Sequence, residues 1–188
     1  MRMLLRLLLG LVVLTYPFLV YFGLLHFDLF LVALAVMAIG LVRFLVFTQV
    51  KGKILNMGLL GSSLLLVFAG LALILEQSVW LKVYPVAFSL MLLYVFGISL
   101  WTDKSMIQRF AELREKDITP HKQHYMRQLT VVWCGFFIFN ALVSTYTLLW
   151  TSDKVWMLYN GLISYLLLGA LVVTELLFRY TVVLKRKT

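Results

Sequence analysis

Charged residues, acidic residues and cysteine are all scarce in this chain. Only 13% of its 188 residues are charged, about half the share that is usual in soluble domains. Eight acidic residues stand against 17 basic residues. The single cysteine, Cys134, lies within an apolar run, so it can form no disulfide inside the chain and indicates no redox chemistry. These absences argue against a soluble domain and against a disulfide framework.

Hydrophobic residues make up 63% of the chain, and they fall into long runs. Each run reaches about 20 residues or more, the length at which a helix crosses a bilayer core. The runs are continuously apolar and do not alternate, which excludes a membrane β-barrel. We therefore predict an all-α polytopic membrane protein, a single domain built as a bundle of six transmembrane helices. The predicted spans are residues 3–25, 29–49, 54–75, 79–101, 129–150 and 155–184, and a polar cytoplasmic segment covers residues 102–128.

The basic residues fall almost entirely on one side of these predicted spans. All of the 17 Lys and Arg residues except Lys82 and Lys154 lie in segments that share a side with both termini. Because basic loops are retained in the cytoplasm, this split predicts a multi-pass protein of the bacterial inner membrane with both termini inside. We attribute the net charge of +9 to loops facing anionic lipid headgroups and not to nucleic-acid binding.

The polar segment between spans four and five contains a predicted short amphipathic interfacial helix. Ser105 and Gln108 match a capping box, which marks a helix start, and Pro120 is predicted to end the element. The apolar face suits the membrane interface. Two interpretations stay open: a connector lying on the bilayer, or a docking surface for a cytoplasmic partner or an anionic headgroup. The predicted interaction surface consists of Met106, Ile107, Arg109, Phe110 and Leu113.

His121 and His124 follow in the same polar segment. Two histidines three residues apart could bind a metal or act as a general base. No third ligand is evident beside them, so we predict no metal site, no cofactor and no catalytic residue. A membrane-embedded transferase that uses these histidines stays open as an alternative.

Three charged residues are predicted to lie inside the membrane. Arg43 on span two and Glu175 and Arg179 on span six reach a similar depth, judged from the helical rise and the basic residues that follow each span. A lone charge at that depth costs a few kcal/mol, so such residues face the bundle interior and pair. The cluster could be a structural brace, a pocket for an anionic headgroup, or a proton path through Glu175.

A polar stripe accompanies these charges on spans five and six. Asn140 and Ser144 are four residues apart on span five, and Asn160 and Ser164 repeat that spacing on span six. Residues at this spacing share a helix face. Stripes of this kind either hold helices together or line a cavity.

Several segments resemble known families. Residues 105–115, the segment Trp156–Ile163 and Glu175 are similar to a family of bacterial inner-membrane proteins. Genes for that family lie beside those for acyl carrier proteins, ketosynthases and acyltransferases in aryl-polyene-type lipid clusters. More distantly, residues 42–44 and 107–109 resemble the intracellular septation protein A family of envelope proteins. The first resemblance implies a role in fatty-acid-like lipid assembly and cytoplasmic partners of those enzyme classes.

These observations favour a non-enzymatic inner-membrane scaffold or lipid-binding component of envelope or polyene-lipid assembly. Its expected partners are membrane lipids and cytoplasmic acyl carrier protein, synthase or acyltransferase proteins, with no nucleic acid. A small transporter or flippase subunit for a lipid-linked intermediate is the first alternative.

Overall fold

The computed structural model describes residues 15–48, 56–112 and 119–178, and every regular element in those ranges is helical. The sequence supports this because its apolar runs contain few residues that interrupt a helix. The helices are α1 (Tyr16–His26), α2 (Leu29–Thr48), α3 (Asn56–Ile74), α4 (Val79–Ser99), α5 (Met106–Ala111), α6 (Pro120–Trp150), α7 (Asp153–Leu158) and α8 (Ser164–Phe178), with a π-helical turn (Tyr159–Ile163) joining α7 to α8.

Five of the described helical segments are long and apolar enough to cross a membrane. They are α2, α3, α4, α6 and the continuous run from α7 through the π-turn into α8. The prediction of an all-helical membrane protein is thereby confirmed for the described residues. Helix α1 is apolar but shorter, and residues 3–14 of predicted span one lie outside the described residues.

The spanning helices pack mostly against their neighbours in sequence. Helix α2 packs against α3, α3 against α4, and α4 against α6, while α1 contacts α2, α4, α7 and the π-turn. One core cluster lies among α1 to α4 and α7, with Val20, Leu81 and Trp156 fully buried. A second, aromatic cluster joins Phe96 of α4 to Trp133 and Phe137 of α6.

Pro85 lies inside α4, and its effect on the backbone is compensated by α1. Proline has no N–H, so the carbonyl four residues earlier loses its helical partner. That carbonyl belongs to Leu81, and the Tyr16 hydroxyl donates a hydrogen bond to it at 2.8 Å. One residue further on, the Trp156 indole N–H donates to the Lys82 carbonyl at 3.2 Å. The proline in α4 therefore leaves an acceptor for α1, beside a carbonyl that also accepts from α7.

The Lys82 side chain adds an ion pair to the same end of the bundle. Its ammonium nitrogen lies 2.7 Å from a carboxylate oxygen of Asp153, the first residue of α7. We call this end of the bundle, where α4 begins and α7 follows α6, the α7 end. The opposite end, where α5 lies, is called the α5 end.

Helix α5 is capped differently from the prediction. The Ser105 side chain makes no capping hydrogen bond, and the Gln108 side chain donates to Glu112 instead. The Met106 N–H is capped by the Ser99 hydroxyl at 2.8 Å. The capping-box prediction is wrong in its bonding because the end of α4 lies close enough to supply the acceptor.

Pro120 was predicted to end this element, but it stands in the first turn of α6. A proline suits that position, since the first N–H groups of a helix have no intrahelical partner. Helix α6 therefore begins nine residues before the predicted span at 129. The connection is held by the Arg127 guanidinium, which donates to the carbonyls of Leu100 and Thr102.

Candidate functional site

A cavity of about 330 Å³, which we call the central cavity, lies between α1, α2, α4, α6 and α8. Its walls combine apolar and aromatic side chains with polar ones from several helices. This combination is typical of small-molecule and lipid sites. The apolar part of the lining comprises Pro17, Pro85, Phe88, Leu92, Phe136, Phe137 and Leu168, and the polar part comprises Tyr16, Arg43, Tyr84, Ser89, Asn140, Asn160, Ser164 and Tyr165.

Arg43 brings a positive charge to the cavity wall. It lies five residues before the end of α2 and is only 6% exposed. Its guanidinium carbon sits 5.6 Å from the centre of the Phe47 ring, a cation–π arrangement one turn along the same helix. A buried cation in a membrane segment is costly and marks a place where an anionic or strongly dipolar group is stabilised.

Tyr84 lines the same cavity and is 2% exposed. Within the described residues its buried hydroxyl has no hydrogen-bond partner. Tyr16 packs against it, with ring centres 4.8 Å apart, but the Tyr16 hydroxyl is committed to the Leu81 carbonyl. Two adjacent, equally buried tyrosines therefore differ in one respect: only the Tyr84 hydroxyl is left for a group that enters the cavity.

Asn140 links the cavity wall to two neighbouring helices. Its amide nitrogen donates to the Ser89 hydroxyl at 2.9 Å, and its amide oxygen accepts from the Tyr159 hydroxyl at 3.1 Å. An asparagine amide carries two N–H donors, so this side chain can serve both the protein and a ligand. It fixes α6 against α4 while presenting polarity to the cavity.

Asn160 is the centre of a denser network beside the cavity. Its amide oxygen accepts from the Ser144 hydroxyl at 2.8 Å, and its amide nitrogen donates to the Trp156 carbonyl at 2.9 Å and to Thr147 at 3.4 Å. The Ser164 hydroxyl donates to the Asn160 carbonyl at 3.1 Å. Both amide hydrogens and the amide oxygen of Asn160 are thus engaged by the protein, which gives this network a structural role.

The π-turn is the backbone feature that positions Asn160. Such turns insert one extra residue into a helix and are often found at functional sites. Gly161 allows α1 to approach here, since a Cβ at this position would lie 2.6 Å from the Phe18 ring. The π-turn was not predicted from the sequence. The signal available was an asparagine followed by glycine in the middle of an apolar run.

The structure brings the stripe residues Asn140, Ser144, Asn160 and Ser164 to the cavity or its adjoining network. It does not bring Glu175 there. Glu175 is half-buried on α8, two turns beyond Leu168, where the cavity lining on that helix ends. Arg179 lies outside the described residues, so the pairing of these charges stays a prediction.

The predicted interaction surface on α5 is only partly accessible. Met106 is 3% exposed and packs in the aromatic cluster, whereas Phe110 is 36% exposed. The Arg109 side chain donates to the Lys104 carbonyl and to the Thr102 hydroxyl. Leu113 lies outside the described residues.

Glu112 follows α5 and pairs with Lys104 at 3.0 Å. The hydrogen bond from the Lys104 ammonium lowers the pKa of Glu112 below its ordinary value. His121 and His124 are exposed in the first turns of α6. Among the residues that the structure describes, no group of three His, Cys, Asp or Glu side chains is placed to hold a metal ion.

A comparison with family models matches residues 5–183 to the family described as intracellular septation protein A. The match covers nearly the whole chain, so the chain belongs to that family, a family of membrane proteins. No curated protein and no solved structure gives a significant match. The neighbourhood of aryl-polyene lipid genes, which the first resemblance implied, is not part of this finding.

Proposed function

We propose that this chain is a non-enzymatic lipid-binding protein of the bacterial inner membrane, and that the central cavity holds one amphipathic lipid. The observation that carries the proposal is the buried Tyr84 hydroxyl, which faces the cavity without a partner among the described residues. Leaving a buried hydroxyl unsatisfied costs roughly 1–3 kcal/mol. A ligand oxygen in the cavity would offset that cost.

The polar part of such a ligand belongs near Arg43 and Tyr84. Both side chains line the cavity, and both donate to oxygen, one as a cation and one as a hydroxyl. A phosphate, a carboxylate or an ester carbonyl fits this pair, with the remaining N–H of Asn140 as a third donor. An anionic oxygen gains most, because Arg43 is buried where charge is poorly screened.

The apolar part of the ligand belongs along the aromatic wall. Phe88, Phe136 and Phe137 line the cavity together with Leu92 and Leu168. These side chains come from α4, α6 and α8, so an acyl or polyene chain would connect α8 to the packed pair of α4 and α6. The main contacts of α8 are with the π-turn that precedes it in the same helical run, and a bound chain would add contacts to other helices.

The topology that we propose has six spans with both termini in the cytoplasm. Helix α1 would be the part of the first span that lies farther from the cytoplasm. The α7 end of the bundle would also face away from the cytoplasm. The distribution of Lys and Arg supports this orientation. In a Cys134→Ser background, Lys154→Cys should react with an impermeant thiol reagent in intact cells, and Lys104→Cys should react only after lysis. The reverse pattern would invert the topology.

The partners that we propose are cytoplasmic proteins of envelope or polyene-lipid assembly, of the acyl carrier, synthase or acyltransferase classes. Phe110 is the exposed apolar residue of α5 among the described residues. Pull-downs in mild detergent should recover such partners with the native chain and lose them with Phe110→Asp. Recovery of no partner with the native chain would remove this part of the proposal.

The lipid proposal is tested by blocking the cavity. The native chain should retain lipid when it is released from nanodiscs and weighed by native mass spectrometry. Leu168→Trp places a large side chain in the cavity and should reduce the number of retained lipids by one. The matched control is Leu166→Trp on the same helix, since Leu166 is 63% exposed and faces away from the bundle.

Equal lipid retention by Leu168→Trp and Leu166→Trp would contradict the proposed site. The charge is tested separately with Arg43→Gln, which should reduce retention of anionic lipids more than that of zwitterionic lipids. If the retained lipid also crosses between leaflets in vesicles carrying the native chain but not Leu168→Trp, the flippase alternative gains support over a static binding role.

A further inference from the structure

A second, polar cleft of about 260 Å³ lies at the α5 end of the bundle, apart from the central cavity. It is lined by the connector and first helix after α4, through Asp103, Ser105 and Gln108, and by the start of α6, through His124 and Arg127. None of these residues belongs to the lining of the central cavity. The cleft is therefore a separate site with a different chemistry.

Ser105 provides the first indication that this cleft holds a ligand. The residue is 2% exposed, and among the described residues its buried hydroxyl has no hydrogen-bond partner. The local structure does not need that hydroxyl, because Ser99 from α4 caps α5 instead. A buried hydroxyl in a polar cleft is stabilised when a ligand oxygen or N–H reaches it.

The start of α6 favours a negative group in the cleft. This helix is 31 residues long, and its cap residue Thr119 makes no side-chain hydrogen bond to the first turn. The first N–H groups of a helix lack intrahelical partners and carry a partial positive charge. Arg127 lines the same cleft and is held in place by its bonds to the Leu100 and Thr102 carbonyls. Phosphate oxygens suit such an arrangement.

Asp103 changes which phosphate compound fits. Asp103 lines the same cleft, and its negative charge would repel a simple anion placed beside the start of α6. A zwitterion resolves this conflict, because its phosphate can face α6 while its ammonium faces Asp103. An ammonium with N–H donors would also hydrogen-bond the carboxylate.

The position of the cleft indicates that the zwitterion is a lipid headgroup. Trp101 lies two residues before Asp103 and is 85% exposed, as expected of a tryptophan at the membrane–water interface. We propose that this cleft binds the phosphoethanolamine headgroup of a membrane lipid. The phosphate faces Ser105, Arg127 and the start of α6, and the ammonium faces Asp103.

The test measures lipid preference in nanodiscs that contain the full chain and equal amounts of phosphatidylethanolamine and phosphatidylcholine. These lipids share the phosphate and differ in the N–H donors of the headgroup. Native mass spectrometry should show about tenfold enrichment of the ethanolamine lipid on the native chain, the size expected for a charged hydrogen bond. Asp103→Asn should reduce the enrichment to about one, and Asp28→Asn, an exposed aspartate elsewhere, should leave it unchanged.

Further variants distinguish a lipid headgroup bound in this cleft from a lipid in the central cavity and from a soluble anion. Ser105→Ala should lower retention of both lipids, and Ser152→Ala, which changes an exposed helix-cap serine at the α7 end, should not. Leu168→Trp should keep the ethanolamine preference, since it blocks only the central cavity. Equal enrichment of both lipids on the native chain, or an unchanged preference in Asp103→Asn, would overturn the proposal. Displacement of the lipid by inorganic phosphate would assign the cleft to a soluble anion and overturn the headgroup assignment.

Discussion

Two polar regions lie side by side in this bundle, and they differ in how completely the protein uses them. Around Asn160, the amide oxygen and both amide hydrogens are engaged by Ser144, Trp156 and Thr147. At the wall formed by Arg43 and Tyr84, the Tyr84 hydroxyl has no partner among the described residues. The first region holds helices together, and the second leaves a hydroxyl that can hydrogen-bond a ligand.

The difference shows that polarity inside a membrane protein does not by itself mark a binding site. Buried polar side chains are normally satisfied by the protein, and the Asn160 network follows that rule. An unsatisfied donor next to a cavity is the more informative sign, because its cost persists until a ligand arrives. Substitutions in the Asn160 region are therefore expected to reduce stability, and removal of the Tyr84 hydroxyl is expected to reduce lipid binding.

The largest effect is expected at the π-turn. Gly161→Val places side-chain atoms where the Phe18 ring lies, and overpacking of this kind costs about 1–3 kcal/mol. The free energy of unfolding in mixed micelles should fall by that amount. The matched control is Gly169→Val on α8, where a Cβ meets no atom within 4 Å, and a similar loss there would indicate a general effect of valine on this segment.

The next effect is expected in the structural network. Asn160→Leu removes all the side-chain hydrogen bonds of that residue and leaves the Ser144 hydroxyl without its acceptor. We expect a loss of about 1–2 kcal/mol. A double-mutant cycle with Ser144→Ala, read from the same unfolding curves, should show coupling between the two sites. Additive losses would show that the two side chains do not depend on each other.

Tyr16→Phe should have a smaller effect. It removes the hydrogen bond to the Leu81 carbonyl, which Pro85 leaves without its helical partner. The expected loss is about 1 kcal/mol. Combining the change with Pro85→Ala should reduce the loss, because alanine restores the N–H that the carbonyl lacks. An undiminished loss in the Pro85→Ala background would contradict this explanation.

A still smaller effect concerns Glu112, outside the spanning helices. Lys104 lowers the pKa of this carboxyl below its ordinary value of 4.5. A lowered pKa means that the stabilisation is present above pH 4.5 and is lost as the pH falls through the folded value. Melting temperatures measured across that window should fall slightly more steeply for the native chain than for Glu112→Gln. Parallel curves would show that the pair contributes nothing to stability.

The sequence predicted much of this fold because the relevant signals are local. Apolar runs of membrane-spanning length predicted the helices, and the four-residue spacings of Asn140, Ser144, Asn160 and Ser164 predicted faces that lie at the cavity or its network. The spacing could not say which of these polar groups would be satisfied by the protein. That depends on which helices become neighbours.

The remaining features needed the packed structure for the same reason. The bond from Tyr16 to Leu81 joins residues 65 positions apart, and the cap on Met106 comes from Ser99 on another helix. Pro85 is visible in the sequence inside predicted span four, but the partner of the carbonyl it releases is not. Helical rise gave Arg43 and Glu175 a similar depth, whereas depth alone does not determine whether two side chains face each other.

The most direct test of the central claim compares Tyr84→Phe with Tyr16→Phe. The same hydroxyl is removed from two neighbouring tyrosines that are 2% and 4% exposed. Tyr84→Phe should raise the free energy of unfolding of the lipid-free protein by about 1–3 kcal/mol, because it removes an unsatisfied buried hydroxyl, while the lipid retained in native mass spectra falls several-fold. Tyr16→Phe should show the opposite, a loss of stability with retention of lipid. A loss of stability in Tyr84→Phe with unchanged lipid retention would contradict the account.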